Sequence, residues 1–109
     1  MESPPLEVAF RALGDPIRRE IIERLAVGDA TVNQLATPFA VSLQAVSRHI
    51  QLLEHAGLVS RRRVGQMRPV HLELAPIDRM ARWMDANRRR VHARYDRLDD
   101  VIVDLQKGW

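Results

Sequence analysis

At 109 residues and without a cysteine, the chain can bury one hydrophobic core but has no disulfide framework, thiolate metal site or thiol nucleophile. Its net charge of +3 and pI near 10.5 favour a polyanionic partner. No window approaches the roughly 20 apolar residues that cross a bilayer, and MESPPLEV lacks the basic-then-apolar order of a signal peptide, so one soluble, cytoplasmic domain over residues 1–109 is expected.

Taken in chain order, Leu6, Ala9, Phe10 and Leu13 lie on one face of a short helix after Pro4-Pro5, ending at Gly14. Asp15-Pro16 has the form of an N-cap followed by proline at the first helical position. Ile17, Ile21, Ile22 and Leu25 then make the apolar face of a second helix closed by Gly28. Thr31 to Gln34 has capping-box spacing and opens a short third helix, which Thr37-Pro38 breaks. Ser42 is the expected N-cap of a fourth helix whose apolar stripe is Leu43, Val46, Ile50 and Leu53. Gly57 suits a left-handed cap there, and Leu58 is placed to fold back on Leu53.

Val70, Leu72 and Leu74 alternate with His71 and Glu73, which predicts the return strand of a hairpin tipped near Gly65, with Pro69 tolerated at its start. From Pro76 a helical pattern through Ile77, Met80, Met84, Val91, Tyr95, Leu98, Ile102 and Leu105 runs for about 30 residues, roughly 45 Å. A chain this small cannot cover one side of so long a helix, so a second subunit is the expected cover. The predicted class is mainly α with a small β-hairpin: five helices and a two-stranded wing.

The fourth helix carries Gln44, Arg48, Gln51 and His55 opposite its apolar stripe, with Ser47 at the edge and no acid before Glu54. Between Ser42 and Leu72 five arginines (Arg48, Arg61, Arg62, Arg63, Arg68) face that one acid, whereas acids outnumber bases between Met1 and Ala30. Positive charge therefore gathers beside the polar helix, the footprint of a nucleic-acid binder. Third and fourth helices joined by a short break form a helix-turn-helix, and the hairpin makes it winged. In that motif the second helix enters the major groove.

Gln44 and Arg48 can make two-point hydrogen bonds to adenine and guanine, Ser47 can reach either, and Ala45 can offer its methyl to thymine. Thr31, Ser42, His49, Gln51, Gln66 and the wing arginines Arg61, Arg62, Arg63 and Arg68 are expected on the DNA backbone. Such contacts add salt-dependent affinity rather than base choice. Strand alternation turns Arg62 away from Arg61 and Arg63, so the three cannot serve alike. His49 also suits a packing role.

The segments FRALGDPIRREIIERL, TVNQLATPFAVSLQAVSRHIQLLEHAGLV and RRRVGQMR resemble the ArsR-type bacterial transcriptional repressors, over about Leu6 to Leu105. The most specific string is SLQAVSRHIQLLEHAGLV. The resemblance implies a homodimeric winged helix-turn-helix that represses by occupying a palindromic double-stranded DNA operator, dimerised by its first and last helices. On this chain the dimer residues would be Leu6, Phe10, Leu13, Met80, Trp83, Met84, Val91, Tyr95, Leu98 and Ile102. The tail LAPIDRMARWMDANRRRVHARYDRL resembles a subgroup with a tryptophan-containing last helix and without the metal-binding cysteines.

Where metal sensors of this family carry cysteines, this chain reads VNQLAT. His92 and Asp96, four apart, are an incomplete ligand pair, and no metal or other cofactor is expected. Nor is catalysis: there is no phosphate loop, no histidine beside a nucleophile and no carboxylate pair in an apolar pocket. An effector pocket near Phe10, Trp83 and Met84 is conceivable, with its ligand unassigned. Two rivals remain from the residues alone, a protein-binding winged helix and a sequence-blind nucleoid-type binder.

Overall fold

Asp15 shows how closely local chemistry sets the element boundaries. In the computed structural model, which describes residues 4–107, its carboxylate accepts from the backbone N–H of Ile17 (2.8 Å) and Arg18 (3.3 Å) and opens α2 (Pro16–Leu25). Before it lies α1 (Leu6–Ala12). After it, α3 (Val32–Ala36) starts with a complete capping box: Gln34 N–H donates to Thr31 Oγ1 and Thr31 N–H to Gln34 Oε1.

Ser42 Oγ accepts from Ala45 N–H at 3.1 Å and opens α4 (Leu43–His55). That helix ends as expected. Gly57 has φ 76°, its N–H reaches Glu54 O at 2.9 Å, and Leu58 N–H reaches Leu53 O at 3.0 Å. This is the paired hydrogen-bond pattern of a Schellman cap, and it drives Leu58 into the core beside Leu53.

Strands β1 (Val59–Arg61) and β2 (Val70–Leu72) pair antiparallel, Val59 opposite Leu72 and Arg61 opposite Val70. At the tip, Val64 and Met67 exchange both backbone hydrogen bonds around Gly65-Gln66. Of these two turn residues only Gly65 takes a positive φ, 62°, as a glycine-first hairpin turn requires. Ala30 bridges Val70 from the other side of β2, a third, one-residue rung with no local signature.

The return strand is shorter than the alternation predicts. It stops at Leu72, and Leu74 opens α5 (Leu74–Lys107), two-thirds exposed. Pro76 falls in the first turn of α5, where its missing N–H costs nothing, so the helix starts two residues before that proline.

The core joins Ala9, Ile21, Leu35, Val46, Ile50, Leu53, Leu58 and Val70 from α1, α2, α3, α4 and the wing. Leu43, expected in the α4 stripe, is 48% exposed, whereas Val46, one turn on, is fully buried. Met80 is only 5% exposed and belongs to the chain's own core, which leaves it little surface for a partner.

Beyond Met80 no residue of α5 is buried. The molecule extends 74 Å along its longest axis with a radius of gyration of 20.1 Å, against about 13 Å for a compact chain of this length. Along α5, from Ile77 half-buried against the core, the residues Ile77, Ala81, Met84, Arg88, Val91, Tyr95, Leu98, Ile102 and Leu105 alternate in steps of four and three. That 3.5-residue repeat is the seam of a helix pair, with Arg88 its one polar member.

Candidate nucleic-acid interface

With Val46, Ile50 and Leu53 anchored in the core, helical geometry sends Gln44, Arg48, Gln51 and His55 outward on one line, and all four are exposed. Ser47 and Ala45 are half-buried on opposite flanks of that line. Ser42 and Thr31 accept backbone hydrogen bonds with their hydroxyl oxygens as N-caps, so each keeps its O–H free to donate outward.

His49 is half-buried and its Nδ1 lies 3.1 Å from Arg18 Nη1. Because a guanidinium only donates, Nδ1 must accept. In this contact the hydrogen that His49 can donate is on Nε2, so it is both a packing residue and a donor on α4.

The helix-turn-helix is set by arginines that the sequence does not mark. Arg24 of α2 donates from Nη1 to Leu35 O and from Nη2 to Gln34 O, both at 2.9 Å, capping the end of α3. Arg18 and Arg19 do the same for α1, donating to Ala12 O and Leu13 O. These three side chains bind protein, and their spacing along the sequence gives no hint of their partners on other helices. Asp29 tethers the wing: its Oδ1 lies 2.9 Å from His71 Nδ1 on β2. Ser60 Oγ donates to Glu73 Oε1 at 2.6 Å across the hairpin.

The wing arginines are unequal. Arg62, Arg63 and Arg68 are exposed, as is Gln66 at the turn. Arg61 is half-buried, its Nε 3.4 Å from Glu54 Oε1 at the end of α4. That contact pairs Glu54, the one acid between Ser42 and Leu72, while Arg48, Arg62, Arg63 and Arg68 stay exposed on α4 and the wing. Val64 and Met67, both more than half exposed, add an apolar pair at the wing tip that the strand pattern did not single out.

The expected dimer residues fall into two groups. Leu6, Phe10 and Leu13 are half-buried on one side of α1, where the Phe10 and Trp83 rings meet edge to face with centroids 5.5 Å apart. Trp83, Met84, Val91, Tyr95, Leu98 and Ile102 are exposed, Tyr95 at 63%. A small-molecule pocket between Phe10 and Trp83 is not formed, since the rings occupy that space. Among the described residues no group of three or more His, Asp or Glu side chains is placed to hold a metal ion, and no helix is long and apolar enough to cross a membrane.

A helix-turn-helix whose second helix exposes a polar, acid-free row beside a basic hairpin defines a winged helix-turn-helix of the DNA-binding type. Comparison with known proteins agrees. A helix-turn-helix domain family model matches residues 13–62. Transcriptional repressor SdpR of Bacillus subtilis is 33% identical over 75 residues, covering 69% of this chain and 83% of the relative.

Among solved structures, an ArsR-like transcriptional regulator from Rhodococcus superposes with TM-score 0.68 at 33% identity, covering 89% of this chain and 88% of that one. A homodimeric winged helix-turn-helix DNA-binding domain from Mycobacterium bovis superposes with TM-score 0.61 at 26% identity, covering 74% and 76%. The chain belongs to the ArsR family of winged helix-turn-helix transcriptional regulators, in a cysteine-free form.

Proposed function

We propose that the protein is a sequence-specific transcriptional repressor that acts as a homodimer on an inverted-repeat operator. The observation that carries this reading is the outward row Gln44, Arg48 and Gln51 on a helix fixed by the core, flanked by Arg62, Arg63 and Arg68 on the wing. Gln44, Ser47 and Arg48, with Ala45 at the flank, read base edges in the major groove. Thr31, Ser42, His49 through Nε2–H, Gln51, Gln66 and the free wing arginines hold phosphates. Arg61 acts mainly by pairing Glu54.

Dimerisation through α1 and α5 is supported by the uncovered 3.5-residue seam of α5 and by the homodimeric state of the M. bovis domain. Repression is supported by the name of the B. subtilis relative. On this reading the chain catalyses nothing; it acts by occupying DNA.

The division of labour between helix and wing is testable by measuring affinity for a set of half-site variants across a salt series. Arg48→Ala is expected to lose discrimination at one base position per half-site, about 1–3 kcal/mol. Arg62→Ala with Arg63→Ala should weaken every sequence nearly alike and flatten the salt slope. Indistinguishable profiles for the two variants contradict the assignment, and wild-type binding that ignores sequence points instead to a nucleoid-type binder.

A further inference from the structure

Between α1, the start of α2 and the C-terminal half of α4 lies an open cleft of about 320 Å3, at the small end of the roughly 300–1,000 Å3 range of ligand sites. Val8, Ala12, Leu52 and Ala56 make its apolar floor, and Arg11, Arg18 and His55 stand around it; no carboxylate lines it. We propose that this cleft binds a small amphiphilic carboxylate, with the tail on the floor and the headgroup among the nitrogen donors, and that its occupation alters the hold of α4 on DNA. The second half of that statement rests on the DNA-binding reading above; the first does not.

Three observations select this chemistry. Leu52 is 46% exposed on α4 and Val8 half-buried facing it, so apolar surface remains there for a ligand tail. The Arg11 side chain has no hydrogen-bond partner among the described residues, and Arg18 spends only Nε and one Nη on protein. A carboxylate can therefore take a forked contact from Arg11 and the remaining nitrogen of Arg18. An ammonium headgroup would meet only like charge, and a neutral one would leave the arginines unused.

The cleft is also separate from the proposed dimer contact. On α1, Val8, Arg11 and Ala12 lie on the side opposite Leu6, Phe10 and Leu13, so a second subunit seated on α5 leaves it open. The link to DNA is Arg18, whose guanidinium ties the end of α1 to His49 on the fourth helix. A headgroup that draws Arg18 toward the cleft loosens His49 and with it the seating of α4.

The test is a titration of the DNA-free full chain with octanoate, octanol and octylammonium, read by calorimetry and backbone amide NMR shifts. Saturable one-per-chain octanoate binding is expected, at least tenfold tighter than octanol, with shifts centred on Val8, Ala12, Leu52 and Ala56. Arg11→Gln, an exposed substitution, should weaken octanoate tenfold or more and leave octanol unchanged, and Leu52→Asp should remove both. No saturable binding, binding blind to headgroup charge, or indifference to Arg11→Gln overturns the site without touching the DNA-binding reading. Octanoate is then added to the protein–DNA complex. Release from DNA in the wild type but not in Arg11→Gln supports the coupling, and unchanged DNA affinity at a saturated cleft overturns it.

Discussion

Asp15 carries two separable contributions to stability. As an N-cap it satisfies the N–H groups of Ile17 and Arg18, and Asp15→Ala is expected to cost about 1 kcal/mol. Its charge adds a pH-dependent part. Partial burial pushes the carboxyl up, but the hydrogen bonds from Arg18 and Ile17 and the positive charge of Arg18 outweigh it, and its pKa lies below the ordinary 3.8. A carboxyl depressed in the folded state stabilises above its unfolded pKa, about 3.9, and that gain is lost as pH falls through the folded value. Asp15→Asn keeps the cap and removes the charge. Chemical denaturation should therefore show the wild type ahead of Asp15→Asn at pH 7, with the gap closing below about pH 4. An undiminished gap at pH 3 would show that the difference does not come from the charge of Asp15.

Among the elements, α3 is the shortest helix, five residues, too short to hold itself in water. Its capping box fixes the start and Arg24 fixes the end, so the angle between α3 and α4 depends on a side chain from α2. Arg24→Met keeps the stem and removes two charge-assisted hydrogen bonds, with an expected loss of about 1–3 kcal/mol. Hydrogen exchange should report it, with α3 amides exchanging faster while those at Ile50 and Leu53 stay protected. Equal acceleration in both helices would make Arg24 a general stabiliser rather than the cap of α3.

Elements with local chemistry are the legible ones. Asp15-Pro16, the Thr31–Gln34 box, Ser42 and the Gly57-Leu58 stop each act within a few residues, and the structure follows all of them. What sequence reading misses is long-range. Nothing near Arg24 announces its bonds to α3, nothing near Arg61 its pairing with Glu54, and nothing near Ala30 its bridge to Val70. Leu74 misleads for a different reason: its alternation with Leu72 continues a strand pattern across the point where α5 begins. The row on α4 is legible because core and solvent faces are fixed by the same helical period. The inequality of the wing arginines is only half legible, since alternation separates Arg62 from its neighbours but cannot find Glu54.

At the scale of the whole molecule, the 34-residue α5 leaves Trp83, Met84, Val91, Tyr95, Leu98 and Ile102 exposed, an apolar stretch that an isolated chain does not keep bare. Arginines crowd the first part of that helix and Asp99, Asp100 and Asp104 its end, so an antiparallel pair would bring unlike charges together. Tyr95→Asp with Ile102→Asp alters only surface side chains of one subunit, and should leave helix content unchanged. Sedimentation velocity is expected to show the variant as a monomer with operator affinity lower by at least tenfold. A wild-type sedimentation coefficient would place the interface elsewhere.

Whether two recognition helices read two half-sites on one face of DNA is decided by selecting bound fragments from sheared host DNA at near-physiological salt and sequencing them. A shared inverted repeat with half-sites about 10 bp apart is expected. Strong retention of fragments with no common motif, or no retention at all, would contradict it.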